Sequence, residues 1–519
     1  MAKLSKNTKY VVVAAAVLLV LGVVCLVLFL TKPADTDSGN SEASSEVSTA
    51  ITVNEKAKEN VLSVEVTNSH GSFSFERKSR VVSTTDSEGN VSSSDEYYWE
   101  SPQLEGLDQN TTSTAAFVNC FAGLKTKSLV EENAQDLAKY GLESPEAVVK
   151  LRFDDSTEQT LYFGIQNPAA TNLCYFRLSD SSDVHQVSYY TVGDAYAKVN
   201  SFVRLVLTES YNAENPQELD YMIIERKDLE EPLEIRYMYD IAAKAEEEDS
   251  VVTTFNSHRF VKPFTAEIDT TNGQSTCYGI YGLTASACEY IDVTDEVLAE
   301  TGLDDPFCTV TAKYGGSVKK ILFGDAIVNI TETEDEDTPA LAATVGYYGM
   351  LEGGSAIYKF DVSAVPWYTV TVQDIISRRP ISPYIYTVDR VVIETPEKTY
   401  DFQIIGDAQN NSFTCNGVDV DPTKFKESYQ HLITGIGEEL FFEEADYEPY
   451  VKVTFIYRDE YKEKYDLDDE VLEFYQSDDR KSIVRVNGSI LFKVRQVYTE
   501  RLIENAEAVL TGGEVQINW

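Results

Sequence analysis

Of the residue types that commonly do chemistry, this chain of 519 amino acids places few in any useful order. Its four histidines are His70, His185, His258 and His431, too far apart in sequence for a helical metal pair. A zinc hydrolase built on His-Glu-x-x-His needs two imidazoles one helical turn apart with a carboxylate as base, and that motif is absent. Neither the Gly-x-Ser-x-Gly turn that exposes a nucleophilic serine nor the Gly-x4-Gly-Lys-Ser/Thr loop that wraps phosphate occurs. Gly435-Ile436-Gly437 lacks the rest of a dinucleotide fingerprint and reads as the end of a helix.

Cysteine is no more suggestive. Cys25 lies in an apolar segment; Cys120, Cys174, Cys277, Cys288, Cys308 and Cys415 are scattered over the rest. Without a Cys-x-x-Cys pair there is no zinc knuckle or dithiol redox centre to expect. Thiols this sparse do not make a disulfide framework, although one pair, Cys277 with Cys288, could still bridge. Acidic runs at Glu332–Asp337 and Asp466–Glu470 lack the alternating oxygens and central glycine of a calcium loop, so they read as solvated loops. Acids suited to glycoside cleavage are too many for a pair to be singled out. No catalytic, cofactor-binding or metal-binding residue is therefore expected, and no cofactor.

The charge balance narrows the partners. With 86 acidic and 43 basic side chains the chain carries −43, which repels phosphate backbones, so nucleic acid is not an expected partner. The 32 tyrosines suit sheet faces with one wet edge.

At the N-terminus, Val11 to Leu30 runs without a charge. At about 1.5 Å rise per residue such a helix spans roughly 30 Å, the thickness of a bilayer core. Lys3, Lys6 and Lys9 precede it and hold that end in the cytoplasm. Thr31-Lys32-Pro33-Ala34-Asp35 is a poor signal-peptidase site, and Val24 before Cys25 is too large for lipoprotein processing, so a retained anchor is expected. Residues 1–10 then form a cytoplasmic tail and 11–30 a transmembrane helix. Residues 31–56 form an acidic, Ser/Thr-rich linker too poor in large apolar residues to fold.

Beyond the linker the sequence repeats itself. Three segments open with a pair of short alternating stretches, each a half-buried hairpin: Val61–Val66 with Phe73–Glu76, Leu219–Ile224 with Leu233–Tyr237, and Tyr386–Ile393 with Tyr400–Ile405. The first two share more. Gly141-Leu142-Glu-Ser-Pro145, a strand from Val148 to Phe153, and Leu161-Tyr-Phe-Gly164 match Gly302-Leu303-Asp-Asp-Pro306, a strand from Thr309 to Tyr314, and Ile321-Leu-Phe-Gly324. The offset holds at about 160 residues, a long internal period. The third segment keeps strands at 450–457, 471–475, 483–486 and 490–494 but loses the glycines and proline. Helices are expected over 113–124, 134–140, 295–301 and 422–433, the last capped by Asp421 before Pro422. Gly141 and Gly302 then sit just past helix ends, where a left-handed cap is needed, and Pro145 and Pro306 stop the helix from resuming. These eight residues form a structural motif: Gly141, Leu142, Pro145, Gly164, Gly302, Leu303, Pro306 and Gly324.

The run Asp136 to Pro145, Leu161-Tyr-Phe-Gly164, Tyr175-Phe-Arg and Val184-His-Gln-Val resembles a bacterial family known only as domain of unknown function 4340. A second copy resembles it at Gly302, Leu303, Pro306, Gly324, Tyr347-Tyr348 and Ile357–Phe360. The likeness covers about residues 60–205 and 219–370, with at least two tandem copies behind an N-terminal anchor. It implies a bacterial envelope protein with a membrane helix. Some members resemble or occur beside auxiliary parts of ABC-type exporters linked to gliding motility. The family has no established catalytic residues to carry over.

The fold class expected is α+β, tandem strand-rich units with short helices preceded by one transmembrane helix. The units are residues 57–208, 216–380 and a degenerate 385–519. The function expected is that of a non-enzymatic, membrane-anchored extracytoplasmic interaction or scaffold protein, embedded through residues 11–30. Its partner would be an envelope protein or an ABC-type permease. The alternative is a cell-envelope hydrolase acting on cell-wall glycan or peptide, which would need convergent acids or Cys/His groups in one cleft.

Overall fold

The structure, a computed structural model, describes residues 52–53, 58–85, 91–239, 258–269, 271–331, 341–381, 383–441, 448–465, 468–477 and 479–518. Alternation of apolar and polar residues builds strands throughout. In the first sheet these are β1 (Val61–Asn68), β2 (Gly71–Thr85), β3 (Val91–Glu100), β4 (Ser128–Glu131), β5 (Ala147–Phe153), β6 (Glu158–Asn167), β7 (Ala170–Leu178) and β8 (Val184–Ser188). Their order is β3-β2-β1-β5-β6-β7-β8-β4. After three strands the chain crosses through the helix Thr111–Ala122 to the far edge and lays down β4. It then returns to the middle with β5 and walks outward again.

The same path is taken twice more. The second sheet has β9 (Leu219–Arg226), β10 (Leu233–Tyr237), β11 (His258–Lys262), β12 (Ala266–Glu267), β13 (Ala287–Tyr290), β14 (Cys308–Tyr314), β15 (Ser317–Thr331), β16 (Leu341–Leu351) and β17 (Ile357–Phe360). They lie in the order β12-β11-β10-β9-β14-β15-β16-β17-β13. The third has β18 (Val388–Glu394), β19 (Thr399–Gly406), β20 (Asn411–Cys415), β21 (Val418–Asp419), β22 (Glu439–Leu440), β23 (Val451–Tyr457), β24 (Glu470–Gln476), β25 (Lys481–Val486) and β26 (Ser489–Arg495), in the order β21-β20-β19-β18-β23-β24-β25-β26-β22. Apart from the small added strands β12 and β21, the three orders are one.

Register repeats with the order. Val61 pairs with Phe153, Leu219 with Tyr314 and Val388 with Tyr457, and in each sheet the next residue is bulged before pairing resumes. A bulge leaves one residue over and turns the strand. It explains why the buried side chains of β1 are Val61, Val64 and Val66, a break in strict alternation that β18 copies with Val388, Val391 and Ile393. The partner strands alternate cleanly: Ala147, Val149, Leu151 and Phe153; Cys308, Val310, Ala312 and Tyr314; Val451, Val453, Phe455 and Tyr457.

One face of each sheet carries the main core. On the first, the helix Thr111–Ala122 inserts Phe117 and Phe121 among Phe75, Phe163 and Phe202, with ring centroids 4.7 to 5.8 Å apart. That core also takes in Cys288 and Ala356 from the second sheet's part of the chain. The second and third sheets share one continuous apolar cluster. The helix Pro422–Ile433 buries Phe425, Tyr429 and Leu432, and the Asp421 carboxylate accepts from the Thr423 and Lys424 amides at its start. Burial of Tyr498, Leu502, Ala506 and Val509, about one helical turn apart, docks the helix Gln496–Thr511.

The structure corrects the α+β expectation. Among the described residues the fold is mostly antiparallel β, three sheets with few helices. The helix expected over 134–140 is a single 3-10 turn, Ala138–Tyr140, preceded by β4. So short a segment gains too few internal hydrogen bonds to form a helix unaided, and its first residue, Ala134, instead donates its amide to Ser182 O at 3.1 Å, in the loop before β8. The transmembrane helix expected at residues 11–30 lies outside the described residues, and no described helix is long and apolar enough to cross a membrane. Within the stretch read as a linker, Val53 is buried, its amide donates to Leu124 O at 2.8 Å and its carbonyl accepts from Gln159. The cysteine bridge does not form: all six described cysteines are free, Cys277 lying in the shared core of sheets two and three and Cys288 in the core of the first.

Candidate functional site

The eight motif residues assemble into two matching joints. Gly141 ends its 3-10 turn at φ 69°, and Gly302 follows the helix Asp295–Glu300 at φ 67°. This is the left-handed region, which costs a residue with a Cβ energy that glycine avoids. Each turn is pressed against a glycine in a sheet bulge. A Cβ on Gly164 would stand 2.1 Å from Tyr140 O, and one on Gly324 would stand 2.1 Å from Thr301 O. The β6–β7 and β15–β16 registers shift at these glycines. Leu142 and Leu303 are buried in small clusters on the sheet face opposite the main core.

A third member of each joint was not anticipated. The Tyr196 hydroxyl donates to Gly164 O at 3.2 Å, and the Tyr368 hydroxyl to Gly324 O at 3.0 Å. Each tyrosine follows the last outward strand of its unit at the same remove, which is the sequence signal that could have found it. The third sheet lacks the joint. Phe474 pairs with Val451 as Phe163 pairs with Ala147 and Phe323 with Cys308, so Tyr475 stands where the others have glycine. Its ring fills the small cluster itself, with Ile483 and Phe441. Pro145 and Pro306 lie in the loops that leave the joints for β5 and β14.

A shallow polar cleft of about 240 Å³ lies on the outer face of the first sheet. Ser63, Glu65, Ser74, Glu76, Gln103 and Arg152 line it. Ser63 stands between Glu76 and Arg152 across the strands, so acid and base alternate along one rung. The hydrogen bond and charge of Lys78, and more weakly Arg152, hold the Glu76 carboxyl below its usual range. At neutral pH it accepts hydrogen bonds and has no proton to donate. Gln103 accepts from the Ser74 amide at 3.2 Å and the Ser101 hydroxyl at 2.9 Å, which closes one end.

The histidines are apart. His185 in β8, His258 in β11 and His431 in the helix Pro422–Ile433 are buried, and burial lowers the pKa of each, that of His258 to about 4. Among the described residues no His, Cys, Asp and Glu group could hold a metal ion. The acidic run Glu332–Asp337 lies outside the described residues. Of the other, Glu470 is the informative member: burial pushes its carboxyl up to about 7, the Tyr457 hydroxyl at 2.8 Å opposes that, and Glu267 of the second sheet adds to it. Nothing in its immediate sequence signals this, because two of the groups that act on it, Glu267 and Arg259, lie in the second sheet.

The family match falls on the sequence stretch around the first joint. Residues 99–252 match the family described as Domain of unknown function (DUF4340). That stretch runs from the end of β3 through β10 and contains Gly141, Gly164 and Tyr196, the whole first joint; it stops before Gly302 and the second. It is narrower than the likeness expected over 60–205 and 219–370. No curated protein and no solved structure matches the chain.

Proposed function

We propose that the chain is an extracytoplasmic interaction module of a bacterial envelope, tethered by residues 11–30 with residues 1–10 in the cytoplasm. On this reading 57–208, 216–380 and 385–519 are tandem copies of one unit, the first two keeping the glycine joint and the third a divergent end copy. The observation that carries the reading is the threefold recurrence of one strand order with one bulge, in cores that run from sheet to sheet. Such a body holds surfaces at fixed separations, which is what a scaffold needs. Tethering raises its effective concentration toward membrane components, so a weak contact suffices. A membrane protein, such as the permease of an ABC-type export system, is the partner this favours.

Full-length protein extracted in mild detergent should co-purify a membrane partner, and residues 52–519 alone should recover less of it. Protease added to spheroplasts should degrade the ectodomain and leave a small membrane-bound stub. A mature protein free in the medium would count against the tether. Cleavage of cell-wall fragments by purified 52–519, lost on mutation of one acid, would replace the scaffold by a hydrolase.

A further inference from the structure

We propose that Glu218, with the rings of Tyr211, Tyr278 and Tyr281, is a docking site for an arginine side chain on a basic segment of a partner protein. The proposal rests on the reading of the chain as an interaction module and names the chemistry of what it holds. Glu218 lies half-buried at the start of β9. The hydroxyls of Tyr211 and Tyr278 each donate to its carboxylate at 3.4 Å, the far limit of a hydrogen bond. No cation among the described residues neutralises it. The nearby lysines are taken: Lys313 by Asp220 at 2.9 Å and Lys319 by Glu209 at 2.9 Å.

Aromatic rings bound this unpaired charge. Tyr211 meets Tyr281 at 5.3 Å and Tyr278 at 5.6 Å between centroids, edge to face in both cases, and Tyr278 lies 5.7 Å from Tyr281. The Tyr281 hydroxyl donates to Gln217 O at 2.6 Å, which fixes that ring beside the carboxylate. Burial first, and the Glu218 charge next, raise the pKa of all three phenols, so the charge reaches every ring. Tyr211 remains 41% exposed and opens the group to solvent.

A carboxylate without a cation, walled by tyrosine, suits a guanidinium. Its plane stacks on an aromatic face while its N–H fork meets the two carboxylate oxygens. An ammonium is a more strongly hydrated point charge and uses neither geometry as well. The net charge of −43 draws basic segments toward the surface at long range, and the site then selects among them.

The test uses a fluorescent Gly-Ser-Arg repeat peptide, with the same peptide carrying citrulline or lysine as controls. Binding to the full-length protein in detergent is read by anisotropy at about 150 mM salt, where charges beyond ~8 Å are screened. The arginine peptide should bind saturably, and roughly tenfold more tightly than the citrulline form. Glu218→Gln and Tyr211→Ala should each weaken it several-fold, Tyr211→Phe should retain most of the binding, and Glu214→Gln on the same exposed loop should change nothing. No saturable binding, equal binding of citrulline, or an equal loss in Glu214→Gln would overturn the site. A Glu218→Gln protein that loses the peptide yet still recovers the membrane partner would overturn the site's role and leave the tether reading standing.

Discussion

Gly164 packs so closely on Tyr140 that a Cβ added to it would stand 2.1 Å from the Tyr140 carbonyl oxygen. Real Cβ atoms do not approach backbone so nearly, so the turn and the strand must separate if the glycine is replaced. Gly324 and Thr301 repeat the relationship at the same distance.

Alanine at either position is therefore expected to destabilise the protein by about 2–3 kcal/mol, in the range of overpacked sites. Gly353→Ala provides the contrast. It has φ 71° but nothing within 4 Å of a Cβ, so only the left-handed backbone penalty of roughly 1 kcal/mol applies. Urea unfolding of the three variants gives the order, and equal losses would remove the packing explanation.

Two buried groups pull stability in opposite directions over one range of pH. His258 has its pKa lowered to about 4 by burial, from 6.5. Its contribution is present above pH 6.5 and is lost as pH falls toward 4. Glu470 has its carboxyl raised to about 7, from 4.5, so its contribution is present below pH 4.5 and is lost as pH rises through 7. Glu470→Gln should therefore gain on the parent protein between about pH 4.5 and 7, by on the order of 1–3 kcal/mol. Unfolding free energies of the pair across pH 4–8 measure the difference, and a flat difference excludes the buried acid.

The six described thiols should be slow to react. Burial pushes Cys120, Cys174 and Cys415 up to about 11, and Cys277, Cys288 and Cys308 up to about 12. The thiolate is the reactive form, so little is present at neutral pH. Cys120, the most exposed of the six, should label first, and Cys277 and Cys288 only on unfolding. Mass spectrometry after timed alkylation checks the order, and an unlabelled, disulfide-linked Cys277 and Cys288 would contradict the separate cores.

Asp421→Ala should cost about 1 kcal/mol, because two amides at the start of the helix Pro422–Ile433 lose their acceptor. Asp421→Asn should restore most of it. Thermal unfolding compares the two, and an unchanged midpoint for alanine would mean that solvent satisfies those amides.

Several local features are legible in the sequence because their causes are local. Alternation along Ala147–Phe153 and Val451–Tyr457 marks strands with one buried face, and Asp421 before Pro422 marks a helix start. The positive φ of Gly141 and Gly302 follows from glycine just past a turn that proline keeps from resuming. By contrast, alternation says nothing of which strand lies beside which. That β5 returns between β1 and β6, and that Val61 faces Phe153 across a bulge, are settled by contacts between residues far apart in the chain. The same holds for the short stretch Ala134–Tyr140, helical in its pattern but too short to stand alone, which keeps only the 3-10 turn Ala138–Tyr140. Tyr475 stands in the glycine's place in the third sheet, where β24 and β25 pair without a shift of register, and the Glu470 carboxyl is raised by burial, with the charge of Glu267 from another sheet adding to it. Burial and close approach arise only when separate segments pack, so only the tertiary structure could decide them.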